Sequence, residues 1–169
     1  MKRRDFFPIA AGGLMLSACG PGQVQKFQTY NGPAVTRVIV EKSTRQMWLM
    51  HEKRVLRKYD MELGFAPAGH KQFEGDGKTP EGSYWIDRRN PNSAFYLSLG
   101  ISYPNAQDIA YAKAQGQDPG GEIFIHGGPV LFGDRNKPDW TAGCIAVTNE
   151  EMAEIYAMVK NGTQIDILK

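Results

Sequence analysis

Two residues of this 169-residue sequence have the type and the setting for acyl-transfer chemistry, Cys144 and His126. Cys144 lies in "DWTAGCIAVTNEEM", residues 139–152, behind a glycine and ahead of an apolar run. His126 ends the apolar segment "EIFIHG" and opens onto a glycine-rich loop, where a side chain can face a cleft. An imidazole can take the proton of a cysteine nucleophile and return it to a departing amine. The pair therefore predicts acyl transfer through a thioester.

Gly143, the residue before Cys144, fits the same chemistry. A glycine lets a substrate approach the backbone closely. Backbone N–H groups beside the nucleophile can then stabilise a tetrahedral oxyanion, and losing one such donor typically costs about 3 kcal/mol. Taken alone, these features also fit a buried thiol, a structural histidine and a simple turn.

The other histidines are less suited to catalysis. His51 falls in the turn "MHEKR" and His70 in a loop rich in glycine and proline, so both are expected at the surface. One free thiol and one well-placed histidine are too few ligands for a zinc site. We therefore expect no metal site.

The elements that position Cys144 and His126 are predicted to be mostly strands. Helices are predicted at "NAQDIAYAKAQ" and after Thr148, where Glu151 completes a capping box. The fold class predicted is mainly β with α, a sheet or partial barrel with one or two helices. The first three of the predicted strands form a meander, and the full set is "TRVIVEK", "RQMWLMH", "RVLRKYDMEL", "SYWIDRR", "SAFYLSLGI", "EIFIHG", "CIAVT" and "TQIDIL".

The N-terminal residues have the pattern of a targeting segment. Residues 1–18 combine a basic start, "MKRRDFF", with a short apolar run, as in a signal peptide. The following "LSAC" resembles the lipobox of bacterial lipoproteins, which makes Cys19 the lipid anchor. Gly20 then favours the outer membrane, facing the periplasm of a Gram-negative bacterium. "RRDFF" also resembles a twin-arginine signal, and a plain secretory signal cleaved near Ala18 is the alternative.

We therefore divide the chain into a signal peptide (1–18), a lipidated tether (19–32) and a catalytic domain (33–169). Without the charges of the signal peptide, basic and acidic side chains are equal in number. No basic stripe stands out, so no nucleic-acid partner is expected. With Cys19 lipidated, Cys144 is a free thiol in an oxidising compartment, which calls for a chemical reason or deep burial.

Four ordered motifs carry a resemblance to a known family. "IHG" followed by "TAGCI" resembles the signature of the YkuD-type L,D-transpeptidase family, and "GDGKTPEGSYWI" is similar to a further motif of that family. "NPNSAFYLSLGISYPN" and "DWTAGCIAVTNEEM" resemble a subgroup related to a Gram-negative protein that acts on murein-bound lipoprotein. The resemblance spans about residues 35–169.

The resemblance implies a YkuD fold, a β-sandwich or partial barrel, with Cys144 as nucleophile and His126 as base. It implies that the Gly127 carbonyl orients the imidazole and that Gly143 and Cys144 supply oxyanion donors. The implied substrate is the peptidoglycan stem peptide, attacked at a carbonyl beside the meso-diaminopimelate stereocentre. Peptidoglycan is the implied partner, with a peptidoglycan-linked lipoprotein as a further candidate. The resemblance implies no metal and no organic cofactor. The acyl group passes to an amine in a transpeptidase and to water in a hydrolase.

The sequence departs from the family pattern at two positions, and both bear on whether an amine or water accepts the acyl group. Ala142 stands where many members have a second histidine, and Ala146 where many have an arginine. The missing arginine favours hydrolysis of stem-peptide or protein–peptidoglycan links as an alternative to cross-linking. A catalytically silent peptidoglycan-binding lipoprotein is a third interpretation. Arg135, Arg88 and Arg89 are candidate replacement cations, and each also fits a solvated surface charge.

The residues before the nucleophile are weaker candidates for substrate binding. Asp139 fits either a loop hydrogen bond or a contact with a substrate amine, and Trp140 either a cleft wall or a loop staple. Thr141 is expected to bond within its turn. The loop containing Asp76, Lys78 and Thr79 is expected to edge the site, and Tyr96 is given no catalytic role.

Overall fold

The computed structural model describes residues 25–129 and 137–169. The proposed signal peptide, the anchor Cys19, the start of the tether and Arg135 lie outside the described residues. The described chain forms two helices, α1 (Ala106–Ala114) and α2 (Asn149–Met158). Its strands are β1 (Arg37–Glu41), β2 (Gln46–His51), β3 (Arg54–Asp60), β4 (Gly82–Asn90), β5 (Ser98–Ile101), β6 (Phe124–His126), β7 (Ile145–Ala146) and β8 (Gln164–Leu168).

The strands form one curved sheet in the order β3-β2-β1-β8-β4-β5-β6-β7. The predicted meander is confirmed, since β1, β2 and β3 pair in sequence and antiparallel. Its buried face follows the two-residue period of a strand: Val38 lies opposite Leu49 and Val40 opposite Met47, all fully buried. The last strand, β8, lies in the middle of the sheet, parallel to β1 and antiparallel to β4.

Helix α2 begins as the sequence predicts. Thr148 accepts the N–H of Glu151, and the Glu151 carboxylate accepts the N–H of Thr148, which completes the capping box. The helix packs on β5 and β6, the strands next to the candidate site. Its buried side chains are Met152, Ala153, Ile155 and Met158. The prediction of a mainly β fold with helices is confirmed, as a half-barrel sheet with two helices.

Several predicted strands are shorter than the sequence suggests, among them "RVLRKYDMEL", which ends as β3 at Asp60. In three others the backbone turns at an end of the strand. In "SAFYLSLGI", Tyr96 has φ +72° and the Leu97 N–H bonds to the Phe95 carbonyl, so the strand begins only at Ser98. In "EIFIHG", Glu122 has φ +55°, outside the strand region. "CIAVT" keeps only β7, since the hydroxyl of Thr141 closes a turn on the carbonyl of Cys144.

The described end of the proposed tether lies against the domain. Tyr30 packs on the core, and its hydroxyl donates to the Pro33 carbonyl at 3.1 Å. The ammonium of Lys26 lies 5.4 Å from the centre of the Tyr96 ring. None of the helices in the described part of the chain is long and apolar enough to cross a membrane.

Candidate active site

Strands β6 and β7 bring His126 and Cys144 to one face of the sheet. The strands are parallel, with Ile125 beside Ile145 and His126 beside Ala146. Cys144 immediately precedes β7, so the two-residue period places its side chain on the face of His126. From the strand spacing and rise, the two residues are diagonal neighbours with Cα atoms roughly 8 Å apart. Their two side chains together can span that gap.

One hydrogen bond determines the tautomer of His126. Its Nδ1 lies 2.6 Å from the carbonyl oxygen of Gly127, the next residue. A carbonyl only accepts, so Nδ1 carries the proton and Nε2 keeps a basic lone pair. Burial lowers the pKa of His126, and the bond to Gly127 opposes this only in part. The imidazole is therefore neutral at neutral pH, as a general base must be.

Two aromatic side chains bury the imidazole. The Phe95 ring centre lies 4.6 Å from that of His126, and the indole of Trp140 meets the imidazole edge-on at 5.6 Å. The Phe95 and Trp140 rings are themselves 6.0 Å apart. Only 4 % of His126 is exposed. This packing supplies the desolvation that keeps the base neutral.

The His126-Gly127-Gly128 segment is fixed by groups distant in sequence. The Gly127 N–H donates to the Phe95 carbonyl at 3.1 Å, and the Gly128 N–H to the Asn149 side-chain oxygen at 3.0 Å. A Cβ at Gly127 would lie 2.5 Å from that same oxygen. Asn149, in the first turn of α2, thus holds the segment in place, and its side chain leaves little room for a residue larger than glycine after the histidine.

Two threonines hold the turn that carries the nucleophile candidate. The Thr141 hydroxyl donates to the Cys144 carbonyl at 2.7 Å and accepts the Gly143 N–H at 3.1 Å. The hydroxyl of Thr79, fully buried, donates to the Gly143 carbonyl at 2.9 Å. The N–H of Gly143 is therefore occupied within the turn, whereas that of Cys144 has no acceptor among the described residues. The Cys144 N–H is the donor left for an oxyanion.

The position of Gly143 excludes a larger side chain. Its φ is +133°, in the region that favours glycine. A Cβ there would lie 2.6 Å from the carbonyl oxygen of Lys78. The loop with Lys78 and Thr79, expected at the edge of the site, therefore packs directly on the turn. Asp76 folds this loop, accepting the N–H groups of Gln72 and Lys78.

The thiol of Cys144 is half-buried, with Sγ 3.5 Å from the main-chain oxygen of Glu122. Burial raises the pKa of Cys144 above its ordinary value, and a hydrogen bond from the Phe124 N–H offsets part of the increase. Because burial also lowers the pKa of His126, both groups favour their neutral forms. The site at rest holds a thiol and a neutral imidazole rather than an ion pair.

Asp139 is bonded within the protein. Its carboxylate forms a two-point ion pair with Arg45, at 2.8 and 2.6 Å, and accepts the Leu63 N–H at 3.1 Å. Its own N–H donates to the Glu62 carboxylate at 2.6 Å. Of the two roles open from the sequence, the structure places Asp139 in the loop-bonding one. Burial alone would raise its pKa, but Arg45 and the Leu63 N–H hold it below the ordinary value.

Of the two roles open to Trp140, the structure favours that of a cleft wall. Besides contacting His126, it lines a cleft of about 320 Å³ next to the imidazole. Gly128, Pro129 and Ala146 border the same cleft.

Arg88 and Arg89, two of the candidate cations, lie on opposite faces of the sheet, because they are successive strand residues. Arg89 bonds to the carbonyls of Tyr156 and Val159 at the end of α2, away from the thiol. Arg88 lies on the face of Cys144, paired with Glu122. Arg135 is outside the described residues.

Both histidines expected at the surface are only partly exposed. Nδ1 of His70 accepts the Glu81 N–H at 2.9 Å, and its Nε2 lies 3.0 Å from the Asp108 carboxylate. Asp108 also accepts from the Tyr84 hydroxyl, so the histidine joins loop, helix and strand. His51 remains partly exposed, with Nδ1 2.8 Å from the Ala34 carbonyl oxygen.

Comparisons with known proteins identify relatives over most of the chain. The model of the YkuD family, described as the L,D-transpeptidase catalytic domain, matches residues 35–167. YafK of Escherichia coli strain K12, itself only provisionally assigned as an L,D-transpeptidase, is 28% identical over 158 residues. That alignment covers 89% of this chain and 58% of YafK, so the chain spans little more than half the length of this relative.

Solved structures show the same fold. Pgp2 of Campylobacter jejuni, a helical cell shape determining protein, matches with a TM-score of 0.57 and 26% identity, covering 86% of this chain and 51% of Pgp2. An L,D-transpeptidase from Mycobacterium smegmatis matches with a TM-score of 0.54 and 15% identity, over 80% of this chain and 59% of its own. At that identity the second match concerns the fold alone.

Proposed function

Because the chain belongs to the YkuD family of L,D-transpeptidase catalytic domains, we propose that it is a cysteine-dependent enzyme acting on peptidoglycan stem peptides. The observation that carries this proposal is the tautomer of His126. With Nδ1 bonded to the Gly127 carbonyl, the basic Nε2 is left for the thiol of Cys144 on the same face of the sheet.

The first half-reaction forms a thioester. The Cys144 sulfur attacks the carbonyl carbon beside the diaminopimelate stereocentre while its proton passes to Nε2 of His126. The N–H of Cys144 stabilises the resulting oxyanion. Collapse of this intermediate breaks the carbon–nitrogen bond, and His126 returns the proton to the leaving amine. One bond to sulfur replaces one bond to nitrogen, and the imidazole ends neutral.

The second half-reaction releases the acyl group. An acceptor amine or a water molecule loses a proton to His126 and attacks the thioester carbonyl. The sulfur leaves and recovers the proton as a thiol. An amine acceptor gives a new peptide cross-link, and water gives a shortened stem or a released protein.

Hydrolysis is the second candidate function, and Ala146 is the observation that favours it. This residue borders the cleft beside His126 and offers only a methyl group where many relatives carry an arginine. Without that cation, the cleft lacks one group that could orient a bulky peptide acceptor. Water needs no such orientation.

Digestion of purified sacculi followed by analysis of the muropeptides tests the proposal. New cross-links between diaminopimelate residues indicate transfer, whereas shortened stems or released lipoprotein indicate hydrolysis. Cys144→Ala serves as the control, because it removes the nucleophile with a small change in volume. Sacculi left unchanged by the wild-type protein would instead support a silent peptidoglycan-binding protein.

We further propose that Cys19 carries the lipid anchor and that the domain, residues 33–169, faces the periplasm from the outer membrane. The support is the "LSAC" motif with Gly20 after it. Metabolic labelling with palmitate tests this. Wild-type protein is expected to take up label and Cys19→Ala to lack it, and an unlabelled wild type would refute the anchor.

A further inference from the structure

We infer that Arg88 binds a free carboxylate on the side chain of the donor peptide and so selects stems whose reacting residue is a diamino diacid. The inference rests on the proposed function. It assigns to Arg88 the recognition of the end of that side chain, separate from the reacting carbonyl.

Strand register puts Arg88 in line with the nucleophile. Arg88 pairs with Gly100 across β4 and β5, and Gly100 pairs with Phe124 across β5 and β6. The next position across the sheet is Cys144, since Ile125 pairs with Ile145 and the Phe124 N–H bonds to the Cys144 sulfur. Paired residues on neighbouring strands share a face. Arg88 therefore begins a row that ends at the thiol.

Gly100 lets the arginine lie along this row. A Cβ at Gly100 would be 2.4 Å from Cγ and 2.5 Å from Nε of Arg88. Any other residue would push the side chain off the sheet. Beyond the glycine, the guanidinium carbon lies 4.8 Å from the centre of the Phe124 ring. The arginine is thus held flat and directed towards the strand beside the nucleophile.

Two carboxylates already lie beside the guanidinium of Arg88. Nη1 lies 3.2 Å from the Glu122 carboxylate, and Nε lies 3.6 Å from that of Asp87. The Glu122 side chain is 77% exposed, and exposed pairs of this kind are weak. The main-chain oxygen of Glu122 also lies 3.5 Å from the Cys144 sulfur. Glu122 therefore adjoins both the thiol and the guanidinium, and the carboxylate of a donor side chain that extends from the thiol towards Arg88 would replace that of Glu122.

The chemistry of the guanidinium defines the ligand class. Its planar fork binds a carboxylate through two parallel hydrogen bonds, whereas an amide or an ammonium group cannot accept both. Diaminopimelate carries such a carboxylate at the end of its side chain, separated from the reacting carbonyl by a short methylene chain. The free end of diaminopimelate also carries an ammonium group, and a lysine-containing stem keeps that group but lacks the carboxylate, so it offers Arg88 no acceptor.

Kinetics on three donors test the inference. The donors are disaccharide tetrapeptides with diaminopimelate, with diaminopimelate amidated at the side-chain carboxylate, and with lysine. The Arg88→Gln variant is expected to raise KM for the free diacid donor about 10-fold or more, the scale of a charged hydrogen bond. The KM for the amidated donor should not rise. Glu122→Gln should lower the KM for the diacid by releasing the guanidinium.

Two controls separate the arginine's role from stability and general charge. Arg88→Lys keeps the charge but loses the fork, so it should restore only part of the diacid preference. Arg54→Gln removes the same charge from β3, at the opposite edge of the sheet, and should leave all three donors unaffected.

The outcomes distinguish the two proposals. Unchanged KM values in Arg88→Gln, or an equal loss on all three donors, would overturn the assignment of Arg88 and leave the proposed function intact. Wild-type protein that turns over none of the donors would overturn the proposed function, and the role of Arg88 with it. A KM rise confined to the diacid donor supports both.

Discussion

The hydroxyl of Thr79 donates a 2.9 Å hydrogen bond to the carbonyl of Gly143, the residue immediately before Cys144. The bond is fully buried and joins loops that lie 64 residues apart in the sequence. The same hydroxyl lies 3.4 Å from the N–H of Gly64. A single side chain therefore connects the nucleophile turn to the loop that edges the site.

We expect Thr79→Val to destabilise the fold and to slow the reaction of Cys144. The substitution keeps the shape but leaves the Gly143 carbonyl buried without its donor, which costs about 1–3 kcal/mol. Urea unfolding gives the stability change, and thioester formation from a stem peptide gives the rate. Thr79→Ser keeps the hydroxyl and should retain most of the rate. Equal rates in Val and Ser variants would show that the bond does not position the turn.

Gly143→Ala is expected to cost far more stability than the same change elsewhere. Its Cβ would approach the Lys78 carbonyl oxygen to 2.6 Å, at a φ of +133°. Gly116→Ala is the matched control, because Gly116 has φ +69° but open space around its missing Cβ. The control should lose only about 1 kcal/mol of unfolding free energy, the cost of the left-handed backbone. Similar losses at both positions, measured by urea unfolding, would contradict the close approach.

The pH dependence of alkylation by iodoacetamide should match a neutral thiol–imidazole pair. Burial raises the pKa of Cys144, so thiolate should accumulate only above about pH 8.5, the ordinary thiol value. Burial lowers the pKa of His126, so the base should remain neutral to below about pH 6.5. A fast alkylation plateau in mildly acidic solution would instead indicate a preformed thiolate–imidazolium pair.

Asp139→Asn should lower the free energy of unfolding at neutral pH. As the solution is acidified, the variant should then lose less stability than the wild type. The folded-state pKa of Asp139 is held below the unfolded value, so its contribution is present above about pH 4 and is lost as pH falls through the folded pKa. The amide keeps the acceptor for the Leu63 N–H but loses the charge facing Arg45. We expect a loss of about 2 kcal/mol at pH 7.

Arg45→Gln provides the other half of a double-mutant cycle. If the pair acts as a unit, the double variant should be little less stable than either single variant. Additive losses, or an acid limb as steep in Asp139→Asn as in the wild type, would contradict this account of the ion pair.

Patterns among residues that are close in sequence predict the parts of the fold that form locally. The alternation in "TRVIVEK" and "RQMWLMH" predicts β1 and β2, and the Thr148–Glu151 capping box predicts where α2 begins. The place of β8 between β1 and β4 depends on pairing between distant segments, for which the sequence carries no local signal. The late start of β5, after Tyr96, has a similar cause, because the positive φ of Tyr96 serves a turn that packs Phe95 on His126.

The candidate site likewise contains residues that the sequence singles out and residues that only the fold reveals. Residue type and flanking glycines are enough to single out Cys144 and His126. The sequence does not single out Phe95 and Asn149, since each reaches the His126–Gly128 segment only through folding. An aromatic residue just before a strand and an asparagine just after a helix cap are common features, so neither signal would have indicated this role. The close fit at Gly127 becomes visible only with Asn149 in place.

The mass of the protein after incubation with a disaccharide tetrapeptide tests the central claim most directly. The account predicts a covalent adduct equal to the donor minus its leaving amino acid, located on the peptide containing Cys144 and released by hydroxylamine as a thioester would be. Cys144→Ala should form no adduct and no product. Product formation by Cys144→Ala at the wild-type rate, or an adduct on another residue, would contradict the assignment of Cys144 as nucleophile.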